Sequence, residues 1–183
     1  MPRPGDRAPH FAGETVNGLG RFDLADHEGQ VVVVIFAGLT WCPPCQRKAE
    51  YLQRVADDVL DSQFVMVSVG DDPDALTGTL GRFGIRFPVL RETPALRTDY
   101  DVGGVPMSFV LARDQTVCFV HRGASPEQGF REDITHCADR PYIPPEDRAG
   151  CAMAVRTFIG ALGNARIVAS DGMREHGDQS PAP

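Results

Sequence analysis

Residues 31–39 read VVVVIFAGL, and this run limits the fold more than any other part of the chain. Four valines followed by isoleucine and phenylalanine show no polar alternation, so a strand built from them has both faces buried. Their β-branched side chains favour the extended state over a helix. A strand covered on both faces needs layers above and below it, which points to helices packed on a mainly parallel sheet. The longest apolar run, Val31 to Ala37, falls far short of the ~20 residues that span a bilayer.

Directly after the run comes Trp41-Cys42-Pro43-Pro44-Cys45, and then Gln46 to Leu60, where Ala49, Leu52, Val55, Ala56 and Val59 recur at helical spacing. Pro43 and Pro44 suit a first helical turn, whose amides have no internal acceptor. Two cysteines separated by two residues at a helix start can close a small disulfide ring. The first lies where unpaired amides and the helix dipole favour negative charge, which lowers its pKa and supplies thiolate. Thiolate is the attacking species in disulfide exchange. In this arrangement Cys42 attacks, Cys45 resolves the mixed disulfide, and Trp41 offers a flat apolar surface to a partner chain.

The rest of the pattern alternates strand and helix. Phe11 to Asp23 suggests a hairpin around Asn17-Gly18. Phe64 to Val69 reads as a second buried strand, followed by a helix to about Phe83 capped by Asp72 or Asp74. Phe87 to Leu90 is a short strand, and Thr93-Pro94 opens a short helix. Met107 to Ala112 and Thr116 to His121 form an antiparallel hairpin, and Ser125-Pro126-Glu127 starts a helix to about Cys137. A Pro-rich loop, 139–150, leads to a last apolar helix over 151–162. The polar, aperiodic residues from about 164 to 183 read as a loose tail.

Composition excludes several function classes. A net charge of −7 argues against nucleic acid, which is bound through clustered basic residues. Of 18 basic residues only Lys48 is a lysine. The start, MPRPGDRAPHF, lacks the apolar stretch of a signal peptide, so the chain as numbered is expected to be cytoplasmic, or periplasmic if a leader has been removed. Five cysteines are too few for a disulfide scaffold at 183 residues.

TWCPPC after the strand, GDRAPHF at the start, FVMVSVGDDPDAL, RFGIRFPVL, Tyr100-Asp101-Val102 and the later GGVPMSFVL together resemble the thioredoxin superfamily, in its TlpA-like and redoxin branch. The likeness spans about Gly5 to Gly123. It implies an α/β, thioredoxin-like fold: a central mixed β-sheet flanked by helices, with an N-terminal hairpin and a C-terminal helical extension. The expected organisation is a core over 1–123, a helical extension over 124–163 and a flexible tail over 164–183. The implied function is thiol–disulfide exchange with protein thiols or disulfides, or with a small-thiol reductant, without cofactor or metal. By the same resemblance Pro106 is the cis-proline that faces the cysteines, and it exposes the Val105 backbone for pairing with substrate.

Two departures from the family stand out. Thioredoxins carry a buried acid in the strand before the motif, where this chain has Ile35 or Phe36. The cytochrome-maturation branch often has glutamate three residues after the second cysteine, where this chain has Lys48. That leaves the proton acceptor for Cys45 open, with Glu50 and Glu92 as candidates, each also readable as a solvated surface carboxylate. Lys48 either helps to stabilise thiolate or points into water.

The remaining residues have plainer readings. Cys118 is expected to be a buried core thiol, while Cys137 and Cys151 either pair across the Pro-rich loop or stay free. A zinc site needs two more ligands, usually a close pair, which Cys137, Cys151 and His136 do not supply. His10, His27 and His121 show no ligand spacing either. A peroxidase of the peroxiredoxin type is the first rival, but it wants threonine three residues before the cysteine, and Thr40 stands two before. It also wants an arginine, for which only Arg113 or Arg122 offer themselves. The second rival is a non-enzymatic copper-handling or assembly module, which usually has a wider cysteine spacing and a distal histidine.

Overall fold

In the computed structural model, which describes residues 1–142 and Pro144, the valine run is the central strand of a five-stranded sheet. Two short strands precede it, β1 (Ala12–Glu14) and β2 (Arg21–Asp23), paired antiparallel as a hairpin. The sheet contains β3 (Val31–Ala37), β4 (Ser62–Ser68), β5 (Val89–Arg91), β6 (Met107–Leu111) and β7 (Val117–Arg122), in the order β5-β4-β3-β6-β7. β3, β4 and β5 run parallel, whereas β6 and β7 join antiparallel. Helices α1 (Pro43–Asp58), α2 (Pro73–Arg82), α3 (Pro94–Asp99) and α4 (Glu127–Ala138) complete the described chain. The strand and helix pattern led to a mainly parallel sheet with an antiparallel hairpin at one edge, which is observed, and the whole is the α/β architecture that the resemblance implied.

Every residue of β3 is buried, and its two faces feed two different cores. Val31, Val33, Ile35 and Ala37 pack with the buried residues of α1, α2 and α4. Val32, Val34 and Phe36 pack on the opposite side with Phe11, Phe22, Leu96 and Tyr100. The aromatic cluster there is tightly built: Tyr100 meets Phe109 edge-on at 4.9 Å between ring centroids, and its hydroxyl donates to the Pro9 carbonyl at 2.9 Å. The N-terminal hairpin thus closes the face that the long helices leave open.

Asp72, not Asp74, caps α2 by accepting from the Asp74 amide, and Thr93 caps α3 through the Leu96 amide. Helix α4 has no side-chain cap, because its N-cap residue is Pro126, which carries no acceptor. Phe130, Ile134 and Cys137 are its buried residues, one face at helical spacing.

The expectation that Cys118 is a free core thiol is overturned: it is disulfide-bonded to Cys137, with 6.0 Å between Cα atoms. The reason lies in a bulge. Val110 opposes Phe119 and Leu111 opposes Val117, which leaves Cys118 as the extra residue of β7. A bulge breaks the alternation of faces, and here it turns Cys118 into the α1–α4 core beside Phe119. With its sulfur committed to Cys118, Cys137 does not pair with Cys151. Cys151 itself, the expected helix over 151–162 and the tail lie outside the described residues.

The disulfide ties the edge strand to α4 across 19 residues. Closing a loop of that size limits the unfolded chain and contributes about 3 kcal/mol. The Cys118→Ala/Cys137→Ala double variant is therefore expected to lower the free energy of urea unfolding by about 3 kcal/mol while leaving Cys42 reactive to alkylation after reduction.

Candidate active site

The carboxyl end of β3 runs into a tight loop, Gly38 to Trp41, which delivers Cys42 to the start of α1. Cys42 is the N-cap residue: it has extended backbone angles, and its Sγ accepts from the Cys45 amide at 3.3 Å. Pro43 and Pro44 occupy the first helical positions, where a missing amide hydrogen costs nothing. Cys42 and Cys45 are disulfide-bonded, with 5.3 Å between Cα atoms. Cys42 is 4 % exposed and Cys45 1 %.

The Val105–Pro106 peptide bond is cis, and the Val105 carbonyl oxygen lies 3.8 Å from Cys42 Sγ. Gly103, Gly104, Val105, Pro106 and Arg122 line an open cavity of about 410 Å³ beside it. Trp41 stands 54 % exposed next to the cysteines, an unusual position for so large an apolar ring. It is held by its Nε1, which donates to the Val69 carbonyl at 2.9 Å, and by close packing on Gly38. A Cβ at residue 38 would collide with the indole, so glycine is required there for a packing reason.

One residue that holds this loop was not evident from the sequence. Asp71 Oδ1 accepts from the Thr40 amide at 2.6 Å and from the Thr40 hydroxyl at 2.8 Å, while Oδ2 accepts from Ser68 at 2.7 Å. The Thr40 hydroxyl in turn accepts from the Asp72 amide at 3.2 Å. The aspartate cluster therefore does two jobs: Asp72 caps a helix, and Asp71 clasps the loop before Trp41 to the end of β4. Only the fold brings Thr40 and Asp71 together across 31 residues.

The two candidate carboxylates have other surroundings. Glu50 is exposed on α1, five residues past Cys45 and so ~140° round the helix. Glu92 accepts from the Gly70 amide at 3.1 Å and meets Arg97 at 3.5 Å, which steadies the loop beneath Trp41. Of the two strand positions weighed for a buried acid, Ile35 is the one on the cysteine side, and Phe36 faces the other core.

Lys48 does not point into water. It is 1 % exposed, and its Nζ lies 4.0 Å over the Phe130 ring and 3.3 Å from Ser125 Oγ. Tyr51 closes the same corner by donating to the Ser125 carbonyl at 2.7 Å. No carboxylate lies within ion-pairing distance of Lys48 among the described residues. Burial alone pulls its ammonium down from 10.5 to about 7. On the adjacent strand His121 is drawn below its ordinary value, first by burial and then by the Lys48 charge, against the opposite pull of Asp133.

With this geometry in place, the comparisons with known proteins are decisive. The Redoxin family model matches residues 3–135. The chain belongs to the Redoxin family. The thiol-disulfide oxidoreductase ResA of Bacillus subtilis (strain 168) is 32 % identical over 126 residues, covering 67 % of this chain and 69 % of that protein. A thioredoxin-family thiol:disulfide interchange protein from Chlorobium tepidum TLS superposes with a TM-score of 0.67 at 28 % identity, over 75 % of this chain and 98 % of that one. A secreted disulfide oxidoreductase of Mycobacterium tuberculosis shares the fold, with a TM-score of 0.62 at 22 % identity, over 69 % and 95 % of the two chains. This Redoxin member is a thiol–disulfide oxidoreductase with a cysteine pair of the CxxC type, and no helix among its described residues is long and apolar enough to cross a membrane.

Two outcomes test the construction of the site. Asp71→Ala orphans two amide or hydroxyl donors of Thr40 and one of Ser68; it is expected to cost roughly 2 kcal/mol in urea unfolding and to shift the emission of Trp41, the sole tryptophan. For Lys48 the folded value lies below the unfolded one, so the folded protein binds fewer protons between about pH 7 and 10.5 and gains stability as pH rises through that window. Below it the buried ammonium carries its full penalty. Lys48→Met of the oxidised protein is therefore expected to melt roughly 5 °C higher at acidic pH, with the gain shrinking toward pH 10, as followed by circular dichroism.

Proposed function

We propose that this Redoxin member exchanges disulfides with extended segments of protein partners, Cys42 being the attacking sulfur and Cys45 the resolving one. The observation that carries this is the placement of Cys42 at the α1 N-cap, between the exposed Trp41 and the cis Val105–Pro106 backbone, with Cys45 shut beneath it. Unpaired amides at a helix start favour the thiolate over the thiol, which is the attacking form.

In the reducing direction the Cys42 thiolate attacks one sulfur of the partner's disulfide. A Cys42–partner bond forms and the other partner sulfur leaves as thiolate. Cys45 then loses its proton and attacks Cys42 Sγ. The ring disulfide forms, the partner's second sulfur leaves, and two electrons have passed from the cysteine pair to the partner. The reverse sequence oxidises a dithiol. A flat indole and the open backbone around Gly103, Gly104 and Val105 suit an extended chain, which pairs through main-chain groups and tolerates varied side chains.

The Cys118–Cys137 bond supports action in an oxidising compartment, where structural disulfides persist. The peroxidase alternative loses its threonine: the Thr40 hydroxyl is held by Asp71 and the Asp72 amide, which leaves it badly placed to position peroxide.

Equilibration in glutathione buffers of graded potential, followed by alkylation and mass spectrometry, is the test. Cys42 and Cys45 are expected to titrate together as one two-electron couple. Cys42→Ser is expected to abolish exchange, and Cys45→Ser to accumulate a mixed disulfide at Cys42. Oxidation of Cys42 alone to sulfenic acid, with Cys45 inert, would replace this reading with the peroxidase one, and stoichiometric tight Cu(I) at the pair would replace it with copper handling.

A further inference from the structure

We propose that Arg122 sets partner specificity: its guanidinium receives an aspartate or glutamate side chain of the partner segment, close to the partner's reacting cysteine. The inference rests on the exchange reading above and deepens it by naming the kind of partner.

Backbone pairing brings Arg122 to the site. It ends β7 directly opposite Met107, the residue after the cis-proline. The next amide, that of Gly123, donates to the Pro106 carbonyl at 2.8 Å. The strand end that carries Arg122 is thereby fastened to the turn that faces Cys42. Val105, Pro106 and Arg122 line one open cavity of about 410 Å³, together with Gly103, Gly104 and Asp101. A Cβ added at Gly103 or Gly104 would meet no atom within 4 Å, so a partner chain has room to lie against this backbone.

The guanidinium is exposed and uncompensated. Its Nη2 donates to Met1 Sδ at 2.9 Å, and a thioether is a weak, neutral acceptor. Among the described residues no carboxylate lies within ion-pairing distance of it. The other ionised groups of the cavity, Asp101 and the Met1 amino group, pair with each other at 3.4 Å. Other arginines of the chain also lack a carboxylate, but Arg122 is the one that lines the cavity beside the cis-proline.

A guanidinium presents its N–H groups in a planar fork that matches a carboxylate through two parallel bonds. An extended chain rises ~3.3 Å per residue, so a carboxylate within about three residues of the partner's cysteine falls inside this cavity. The preference runs against the molecule as a whole. A net charge of −7 repels an acidic segment at long range, so a preference for acid at the site requires a local cation.

The test uses extended peptides with one central cysteine, each held as a mixed disulfide with the same coloured aromatic thiol. The Cys42 thiolate of the reduced full-length protein attacks the peptide sulfur, the Cys42–peptide bond forms, and the coloured thiolate leaves. Glutamate, or glutamine as its uncharged counterpart, is placed in turn at each of the three positions on either side of the cysteine. The readout is the ratio of the two rate constants within one protein, which cancels any general loss of reactivity in a variant. Dividing by the same ratio measured with dithiothreitol removes the peptides' own chemistry.

Wild type is expected to favour glutamate by at least roughly threefold at one or more positions, within the range of an exposed ion pair. The preference is expected to fade in about 1 M salt. Arg122→Gln is expected to bring the ratio below one, and Arg122→Glu to lower it further. A wild-type ratio at or below one at every position overturns the proposal. So does a preference that survives in Arg122→Gln, even where both peptides react more slowly, because that assigns the arginine to holding the Cys42 thiolate. Oxidised glutathione and its ethyl ester are compared by the loss of free protein thiol. Discrimination between those two, with none among the peptides, gives the carboxylate to a small thiol and overturns the assignment to a protein segment. Failure of the reduced protein to release the coloured thiol from any peptide would instead sink the exchange reading.

Discussion

The site depends on a strand that water reaches from neither side. Because alternate residues of β3 feed separate cores, the strand cannot slip by one residue without exchanging its whole inner set for its outer one. That register fixes where β3 ends, and the loop from Gly38 carries Cys42 directly from its end to the first turn of α1. The same register aligns β6 beside β3, Phe36 opposite Met107, so that the cis Val105–Pro106 bond meets the cysteines from the neighbouring strand. Cys42 and the backbone that faces it, more than 60 residues apart in the chain, are brought together by one hydrophobic constraint.

What was readable beforehand followed from how local each signal is. Strand β3, the CxxC helix start and the hairpin of β6 and β7 are each encoded within a short local stretch, and all three are where the sequence pattern puts them. The Cys118–Cys137 bond escaped because a bulge is not a periodic feature. Half of it was nevertheless visible: Phe130, Ile134 and Cys137 mark one apolar face, so Cys137 had to point at the sheet. Asp71 was hidden for a different reason. Its partners, Thr40 and Ser68, flank two separate strand ends, and only the parallel pairing of β3 with β4 brings those ends side by side. The burial of Lys48 was recoverable, since 45, 48, 49, 52 and 55 form a single helical stripe in which a lysine is out of place.

Two kinds of polar group on the cysteine side of the sheet divide along a line of energetics. Asp71 is satisfied by three hydrogen bonds and serves to immobilise a loop; its charge is paid attention by donors on every side. Lys48 is the opposite case, buried without a carboxylate, and the fold tolerates it although an apolar side chain of similar length would sit there with less strain on hydration.

That contrast also bears on why α4 belongs with the site. Through Phe130 it roofs Lys48, through the loop before it Ser125 reaches Lys48 and Tyr51, and through Cys137 it is bonded to β7, which carries His121. The second disulfide therefore fixes the roof over the buried face of the cysteine helix rather than a remote part of the molecule. A roof that shifted would let water reach Lys48, restore the hydration of its ammonium and return its proton affinity toward that of an ordinary lysine. The structural disulfide thereby holds in place the helix that packs over the buried face of α1, which carries the redox disulfide at its start.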